Sequence, residues 1–150
     1  MRYGLGALAA AAMVFATAAA SAGDGKDASG TIAGREAAMM MSGALMGSMK
    51  GAIDRGDDVK SQGFAARTLA GWAKAIPGMF PAGSEGGDAL PAVWSDRAGF
   101  EAKATAYAAA ATKLADAAKA GDKPGFAAAW GEVRTACGAC HDSYKKPDEH

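Results

Sequence analysis

The stretch Cys137-Gly138-Ala139-Cys140-His141 lies near the C-terminus and contains the only two cysteines of the 150-residue chain. Its C-x-x-C-H spacing is typical of a c-type haem attachment site. Residues three and four positions apart share one face of a helix, so both thiols and the imidazole would point in the same direction. The stretch therefore predicts one covalently attached haem c (iron), with Cys137 and Cys140 as thioether positions and His141 as an axial iron ligand.

Three other interpretations of this stretch remain open on the residues alone. A zinc site would need four ligands, for which the chain offers only the two cysteines, His141 and His150. A thioredoxin-like redox pair would need a βαβ setting, and no strand pattern is visible around the motif. A structural disulfide would leave the adjacent His141 without a role. The haem interpretation accounts for all three side chains.

The rest of the chain has the pattern of a helical protein. Apolar residues recur at helical spacing in four segments, which predict helices over about residues 31–55, 57–77, 95–121 and 124–145. The segment between the second and third helices, residues 78–93, is rich in Gly and Pro and predicts an irregular crossover. Such a long connection indicates that it covers something. The predicted fold class is all-α, an antiparallel four-helix bundle with a covalently bound haem near the C-terminal helix.

Polar residues and glycines mark the predicted helix ends. The starts are assigned to N-cap residues and the ends to C′ glycines. The caps are Asp57 or Asp58, Ser95 or Asp96, and Asp122, and the glycines are Gly56 and Gly121. Pro77 is predicted to stop the second helix, whose apolar face begins at Phe64 or Ala65.

The first 22 residues have the character of an export signal. Arg2 gives a weak positive charge, residues 5–20 form an apolar stretch of small residues, and Ala20-Ser21-Ala22 matches an A-x-A cleavage site. A transmembrane anchor is the rival interpretation, which the short, Ala-rich stretch and the cleavage pattern disfavour. We therefore expect a signal peptide at residues 1–22, a flexible lead-in at 23–30 and the bundle at 31–150, with no membrane span after cleavage.

Composition and charge indicate which kinds of partner this chain binds. The chain is 50% hydrophobic and 21% charged with a formal net charge of zero, which suits one globular domain and gives no indication of nucleic acid binding. Export fits the cysteines, because covalent haem attachment is typically extracytoplasmic and free thiols tend to oxidise there. The expected location is the bacterial periplasm, and the expected partners are redox proteins of that compartment.

Several stretches together resemble one family. They are the C-terminal Cys137-x-x-Cys140-His141-x-x-Tyr144-Lys145, the first-helix Arg35, Ser84-Glu85-Gly86-Gly87-Asp88 and Pro91-Ala92-Val93-Trp94. Over about residues 32–145 the chain resembles the class II c-type cytochromes, typified by cytochrome c′. The resemblance implies an antiparallel four-helix bundle that is often a homodimer built on its first two helices.

The resemblance also implies cofactor-binding residues away from the motif. Arg35 matches a first-helix arginine that lies near a haem propionate, with a solvated helix charge as the alternative. Glu36 occupies a position where relatives often carry Gln. Ser84 and Glu85 match a crossover segment that passes over the haem edge, with capping of the loop as the alternative. These four residues are expected to surround the haem.

Met39, four residues after Arg35, is the position on which the function depends. By the same resemblance, gas-binding members have an apolar residue facing the open iron position, commonly Leu or Phe, whereas low-spin members place a ligating Met there. A thioether ligand raises the reduction potential and so favours electron transfer. Met39 is therefore expected to be the sixth iron ligand, with packing over the iron as the alternative.

Two functions follow from these expectations. The first is a periplasmic carrier of single electrons, with the iron held by His141 and Met39. The alternative is a five-coordinate cytochrome c′ that binds nitric oxide or carbon monoxide in gas sensing or scavenging. An enzyme such as a peroxidase is not expected, because that chemistry needs a distal acid–base group and the only other histidine is His150.

Overall fold

The computed structural model describes residues 25–147, so the predicted signal peptide at residues 1–22 lies outside the described residues. The described part contains five helices: α1 (Gly25–Arg55), α2 (Gly63–Ala75), α3 (Ala92–Ser95), α4 (Arg97–Ala120) and α5 (Lys123–Tyr144). Two 3₁₀ turns, Val59–Gln62 and Ile76–Met79, flank α2. The four long helices form the predicted antiparallel four-helix bundle. Between residues 25 and 147, no helix is long and apolar enough to cross a membrane.

The first helix starts earlier than the sequence indicated. It begins at Gly25, so the expected flexible lead-in at residues 23–30 is helical from residue 25 onward. The glycine at position 30 disfavours a helix, because glycine in a helix interior lowers helix stability by about 1 kcal/mol relative to alanine. Residues 26–29 contain neither proline nor a β-branched residue, and adding a turn to an existing long helix needs no new nucleus.

Asp96 and Asp122 are confirmed as N-caps of α4 and α5. The predicted second helix starts later than expected: Asp58 caps the 3₁₀ turn Val59–Gln62, and α2 runs only from Gly63 to Ala75. The Oδ1 atoms accept hydrogen bonds from backbone N–H groups over 3.0 to 3.2 Å: Asp58 from Lys60, Asp96 from Gly99 and Asp122 from Gly125. Each bond satisfies an N–H group that the first helical turn leaves without a partner. At the other end of α4, Gly121 has a φ of 75°, the left-handed conformation of a C′ glycine.

The hydrophobic core lies mainly between α2, α4 and α5. Its largest buried side chains include Leu69, Phe100, Leu114, Phe126 and Val133. Phe64 of α2 is 75% exposed, whereas Ala65 packs against the core. Of the two residues predicted to begin the apolar face of the second helix, Ala65 is therefore the one that does so.

The first helix contributes less to this core than the other long helices. Among its described side chains only Arg35, Met49 and Ala52 are buried, and Met39 and Met46 between them are half-buried. The middle of α1 therefore borders a space inside the bundle rather than a closed core.

The crossover, residues 80–91, is ordered by contacts with the end of α5. The Leu90 N–H donates to the Tyr144 carbonyl over 2.9 Å, and Ala89 forms an antiparallel β-bridge with Lys145. The irregular connection predicted between the second and third helices therefore lies directly beside the C-x-x-C-H stretch.

Candidate functional site

The C-x-x-C-H stretch occupies the last turns of α5, which ends at Tyr144. Cys137 and Cys140 are half-buried free thiols, and His141 is exposed. Burial raises the pKa of both thiols; Cys140 adds to the effect at Cys137, and Lys103 opposes it at Cys140. Both sulfurs are therefore thiols rather than thiolates near neutral pH.

This environment does not favour the other interpretations of the two cysteines. Zinc binds thiolates, and no group of three or more His, Cys, Asp or Glu within residues 25–147 is placed to hold a metal ion. The two thiols are not joined in a disulfide. The motif ends a helix of a bundle, so the βαβ setting of a thioredoxin-like pair is missing from the described part of the chain.

Two cavities meet at the motif. The smaller, of about 320 Å³, lies between α1, α4 and α5. The larger, of about 460 Å³, lies between α1, the crossover and the end of α5. Their walls share Met39, Phe100, Cys140 and His141. Met39 of the first helix and His141 of the last helix therefore border one continuous site.

The wall of the smaller cavity is mainly apolar. Besides the shared residues it includes Met46, Ile76, Ala104, Tyr107, Trp130 and Cys137. Trp130 Nε1 donates to the Met46 carbonyl over 3.0 Å, so its polar atom is already satisfied by α1. Burial raises the pKa of Tyr107, which keeps its hydroxyl neutral. The space therefore suits a large apolar group.

The larger cavity combines aromatic and charged walls. Its charged residues are Arg35, Glu36, Asp88 and Lys145, two basic and two acidic. An anionic substituent of a bound group can find a cation here, as it can at Arg134 on the wall of the smaller cavity.

Arg35 is a buried tether between α1 and the crossover. It is 2% exposed, and its Nη1 donates to the carbonyl and Oγ of Ser84 over 2.8 and 3.1 Å. Its Nη2 donates to the Gly86 carbonyl over 2.8 Å, and its Cζ lies 4.5 Å from the centroid of the Phe80 ring. Burial lowers its pKa, an effect that the nearby carboxylates Glu36 and Glu85 oppose. The alternative of a solvated helix charge is therefore wrong.

Glu36 holds the same crossover one residue further along α1. Its Oε1 accepts from the Asp88 N–H over 3.2 Å. Gly87 has a φ of 57°, and a Cβ there would overlap this carboxylate oxygen. The close approach of the carboxylate to the backbone thus requires glycine at position 87.

Ser84 and Glu85 lie in the crossover and are absent from the described walls of both cavities. Ser84 is 2% exposed, accepts from Arg35 and donates through Oγ to the Pro81 carbonyl over 2.8 Å. Glu85 is exposed and accepts from the Gly83 N–H over 3.3 Å. Ser84 and Glu85 therefore lie outside the walls of the site. The predicted residues that the structure does place on these walls are Arg35, Glu36, Met39, Cys137, Cys140 and His141.

Sequence reasoning missed several residues of the walls. Phe100, Tyr107 and Trp130 lie within the predicted helices but were not among the predicted site residues, and all three line the smaller cavity. Asp88 and Tyr144 line the larger one. Trp130 lies seven residues before Cys137 on α5, a helical spacing that was a signal, whereas Phe100 and Tyr107 lie on α4 and have no spacing relative to the motif.

The residues present fit a covalently attached haem. Two neutral thiols, an imidazole and a thioether border one site, whose walls are mainly apolar in the smaller cavity and contain cations in both cavities. An all-α bundle with C-x-x-C-H on its last helix beside such a site defines the class of c-type haem proteins built on four helices. A family model described as Cytochrome C′ matches residues 30–145, and the chain belongs to this family, the class II c-type cytochromes. Its cofactor is covalently attached haem c with iron.

Individual relatives agree with this assignment. The chain is 49% identical over 67 residues to a cytochrome c′ of Alcaligenes xylosoxydans xylosoxydans, a match that covers 45% of this chain and 53% of the relative. The matched segment thus spans about half the length of that relative. The chain is also 37% identical over 120 residues to cytochrome c-556 of Agrobacterium tumefaciens (strain II Chrys). This second match covers 77% of the chain and 97% of the relative.

A solved structure shares the fold over most of the chain. It is the nitric oxide complex of a leucine-to-alanine mutant of cytochrome c prime from Alcaligenes xylosoxidans, with a TM-score of 0.74 and 32% sequence identity. The match covers 83% of this chain and 97% of that one. Proteins of this family are haem electron carriers or gas-binding proteins rather than typical enzymes.

Proposed function

We propose that this chain carries single electrons in the periplasm, with one haem c attached through Cys137 and Cys140 and its iron held by His141 and Met39. One observation supports the proposal most: Met39 of α1 and His141 of α5 line the same two cavities, so two helices offer a ligand pair to one space. When bound, the haem supplies an iron that exchanges one electron between its ferric and ferrous states. The chain holds, buries and tunes that group.

The position of Met39 supports its choice over the other methionines of α1. Met40 and Met41 are 73% and 60% exposed. Met46 lines only the smaller of the two cavities. Met39 is half-buried and packs against the core. A thioether ligand in an apolar shell raises the reduction potential.

The proposal assigns the remaining predicted residues to the side of the larger cavity. Arg35 and Glu36 lie on its wall, and Arg35 is the buried cation suited to a propionate. Ser84 and Glu85 act through the crossover, which Arg35 holds in place by its bonds to Ser84. Their contribution is to the shape of the site rather than to direct contact.

A second candidate function is binding of nitric oxide or carbon monoxide at a five-coordinate iron, with Met39 only packing over the metal. The mainly apolar wall of the smaller cavity supports it, because a small uncharged gas needs no charged partner. The related solved structures include nitric oxide complexes of cytochrome c prime from Alcaligenes xylosoxidans.

The proposal includes export and association. Residues 1–22 would be removed on export, and redox proteins of the periplasm, rather than nucleic acid, would be the partners. The three large apolar side chains that are exposed among the described residues, Met40, Met41 and Phe64, lie on α1 and α2. This supports a homodimer built on the first two helices.

The absorption spectrum of the purified holoprotein, ferric and ferrous, with and without carbon monoxide, tests the function. Ligation by Met39 predicts a low-spin spectrum with a weak methionine-to-iron charge-transfer band and slow uptake of carbon monoxide. A high-spin spectrum that converts promptly with carbon monoxide would reject Met39 as a ligand and favour gas binding.

Two matched variants separate ligation from packing. Met39→Leu keeps the apolar volume and should convert the spectrum to high spin and speed carbon monoxide binding at least tenfold. Met46→Leu makes the same change two turns along α1, on the wall of the smaller cavity, and should leave the spectrum unchanged. Equal effects of both variants would mean that the cavity responds to packing alone.

A further inference from the structure

We propose that Tyr144 is a positioning residue for His141, acting through a hydrogen bond to Asp96 that fixes the last turn of α5. The inference rests on the proposed ligation of the iron by His141. Tyr144 follows His141 by three residues and Cys140 by four, so it lies one turn beyond the attachment motif on the same helix.

The tyrosine is held by a part-buried side-chain contact with Asp96. It is 6% exposed, and its Oη donates to Asp96 Oδ2 over 2.6 Å. Asp96 Oδ1 accepts from the Gly99 N–H over 3.2 Å, which is the N-cap bond of α4. One carboxylate therefore fixes the start of α4 and the end of α5 at the same time.

Gly99 shows how closely these groups approach. A Cβ on Gly99 would lie 2.5 Å from Tyr144 Oη and would also overlap the Asp96 carboxylate. Any side chain at position 99 would have to displace one of the two partners. The geometry thus depends on a glycine on the first turn of α4.

The ring of Tyr144 connects this contact to the site. It packs edge-to-face on Phe100, with ring centroids 5.5 Å apart and an interplanar angle of 83°. Phe100 lines both cavities, and Tyr144 lines the larger cavity together with His141. The hydroxyl bond therefore orients a ring that is itself part of the wall beside the proposed ligand.

Main-chain hydrogen bonds also hold the end of α5, within the helix and to the crossover. The Lys145 N–H donates to the His141 carbonyl over 3.1 Å, and the Leu90 N–H to the Tyr144 carbonyl over 2.9 Å. The Lys146 N–H donates to the Asp88 carbonyl over 2.8 Å. The last turn of a helix normally frays because its carbonyls lack partners. Here the His141 and Tyr144 carbonyls are bonded, and the side-chain contact to Asp96 sets the rotation of the turn.

Loss of the hydroxyl should loosen this turn while the ring keeps its place. We therefore expect Tyr144→Phe to retain the covalent haem and to shift both the reduction potential and the ferrous absorption spectrum. Amide hydrogen exchange of residues 141–146 should become at least tenfold faster in the holoprotein. Asp96→Ala should shift the potential and spectrum in the same direction, and the double variant should show no larger shift than either single one.

Two controls distinguish positioning from general stability. Asp122→Ala removes an equivalent N-cap, at the opposite end of α5, and should leave the potential and spectrum unchanged. Asp96→Asn keeps an oxygen that can accept from Tyr144 and should restore most of the wild-type spectrum. If Tyr144→Phe fails to fold, the comparison of Asp96→Ala with Asp96→Asn carries the test.

The proposal is overturned if Tyr144→Phe lowers the melting temperature but leaves the potential and spectrum unchanged, or if Asp122→Ala shifts them equally. His141→Ala separates this outcome from failure of the proposed function. An unchanged ferrous spectrum in His141→Ala would reject the ligation itself. A changed spectrum there, with an unchanged one in Tyr144→Phe, would reject only the positioning role.

Discussion

Arg35 Nη1 donates a hydrogen bond to the Ser84 carbonyl over 2.8 Å, although 49 residues separate the two in the chain. The bond joins the first helix to the crossover above the larger cavity, and both residues are 2% exposed. Because a buried guanidinium and buried carbonyls each need partners, the first helix and the crossover stabilise each other. This relationship leads to the first prediction.

Arg35→Ala should destabilise the protein strongly. The change removes three hydrogen bonds, takes the Arg35 donor from the buried Ser84 carbonyl and leaves the Gly86 carbonyl only the Ala89 N–H, 3.3 Å away. We expect a loss of about 3 kcal/mol in the free energy of unfolding, since each unsatisfied buried group costs about 1–3 kcal/mol. Urea unfolding of the holoprotein measures it. Arg67→Ala on the exposed face of α2 is the control and should change stability by less than about 0.5 kcal/mol.

Alanine substitutions at two glycines should have opposite effects on stability. Gly87→Ala puts a side chain at a φ of 57° and against Glu36, so it should cost at least about 1–2 kcal/mol. Gly71→Ala lies within α2, where an added Cβ meets nothing within 4 Å, and should stabilise by about 0.5–1 kcal/mol. Thermal unfolding of both variants checks the pair; equal signs would contradict the assigned geometry at Gly87.

Stability should fall in alkaline solution because of two tyrosines. The hydrogen bond to Asp96 raises the pKa of Tyr144 to about 12, and burial raises the pKa of Tyr107. Their folded pKa values exceed the unfolded value of 10.0, so the stability that they add is complete below pH 10 and decreases above it; the part due to Tyr144 is lost as the pH rises through about 12. Denaturant unfolding between pH 8 and pH 11 should show a shallower decline in Tyr144→Phe. An identical decline would show that Tyr144 ionises as easily folded as unfolded.

Removal of both thiols should abolish covalent haem attachment. The Cys137→Ser/Cys140→Ser variant is expected to lose the haem mass completely under denaturing conditions, whereas each single variant keeps one thioether. Intact mass spectrometry after export makes the measurement. Thr135→Ala, an exposed change nearby on α5, should retain the full haem mass. A covalently bound haem in the double variant would exclude the motif as the attachment site.

Association should depend on the outer face of the first two helices. Phe64 is 75% exposed on α2, and a carboxylate at that position would be buried in a dimer built on α1 and α2. Phe64→Glu should weaken dimerisation at least tenfold in sedimentation equilibrium. Ala109→Glu adds the same charge to the exposed face of α4 and should have no effect. Monomers in the parent protein at all concentrations would reject the dimer.

The local features of the fold could be predicted from sequence because they depend on neighbouring residues. Asp96, Asp122 and Gly121 act within one turn of the helix end they mark, and the structure has them in those roles. The start of α1 was missed for the same reason. A glycine at position 30 is locally unfavourable, yet the long helix behind it overrides that preference.

The contacts around the site could be predicted only in part. The motif and its helical spacing indicated which side chains share a face, and Met39 and His141 do border one site. The partners of Arg35 and Glu36 come from the crossover, more than 45 residues away, where irregular backbone gives no periodic signal. The bond from Tyr144 to Asp96 joins two helices at positions that sequence patterns treat as independent.

The bridge between Ala89 and Lys145 joins the crossover to the residue that follows α5. Because a chain is synthesised from its N-terminus, α1 and the crossover are made before α5. Both partners of the hydrogen bond from Arg35 to Ser84 are therefore present before α5 is. The crossover cannot gain its second attachment until the residues after the C-x-x-C-H stretch have arrived. The segment that carries the cysteines is therefore the last of these to become available, and its docking completes the wall of the larger cavity.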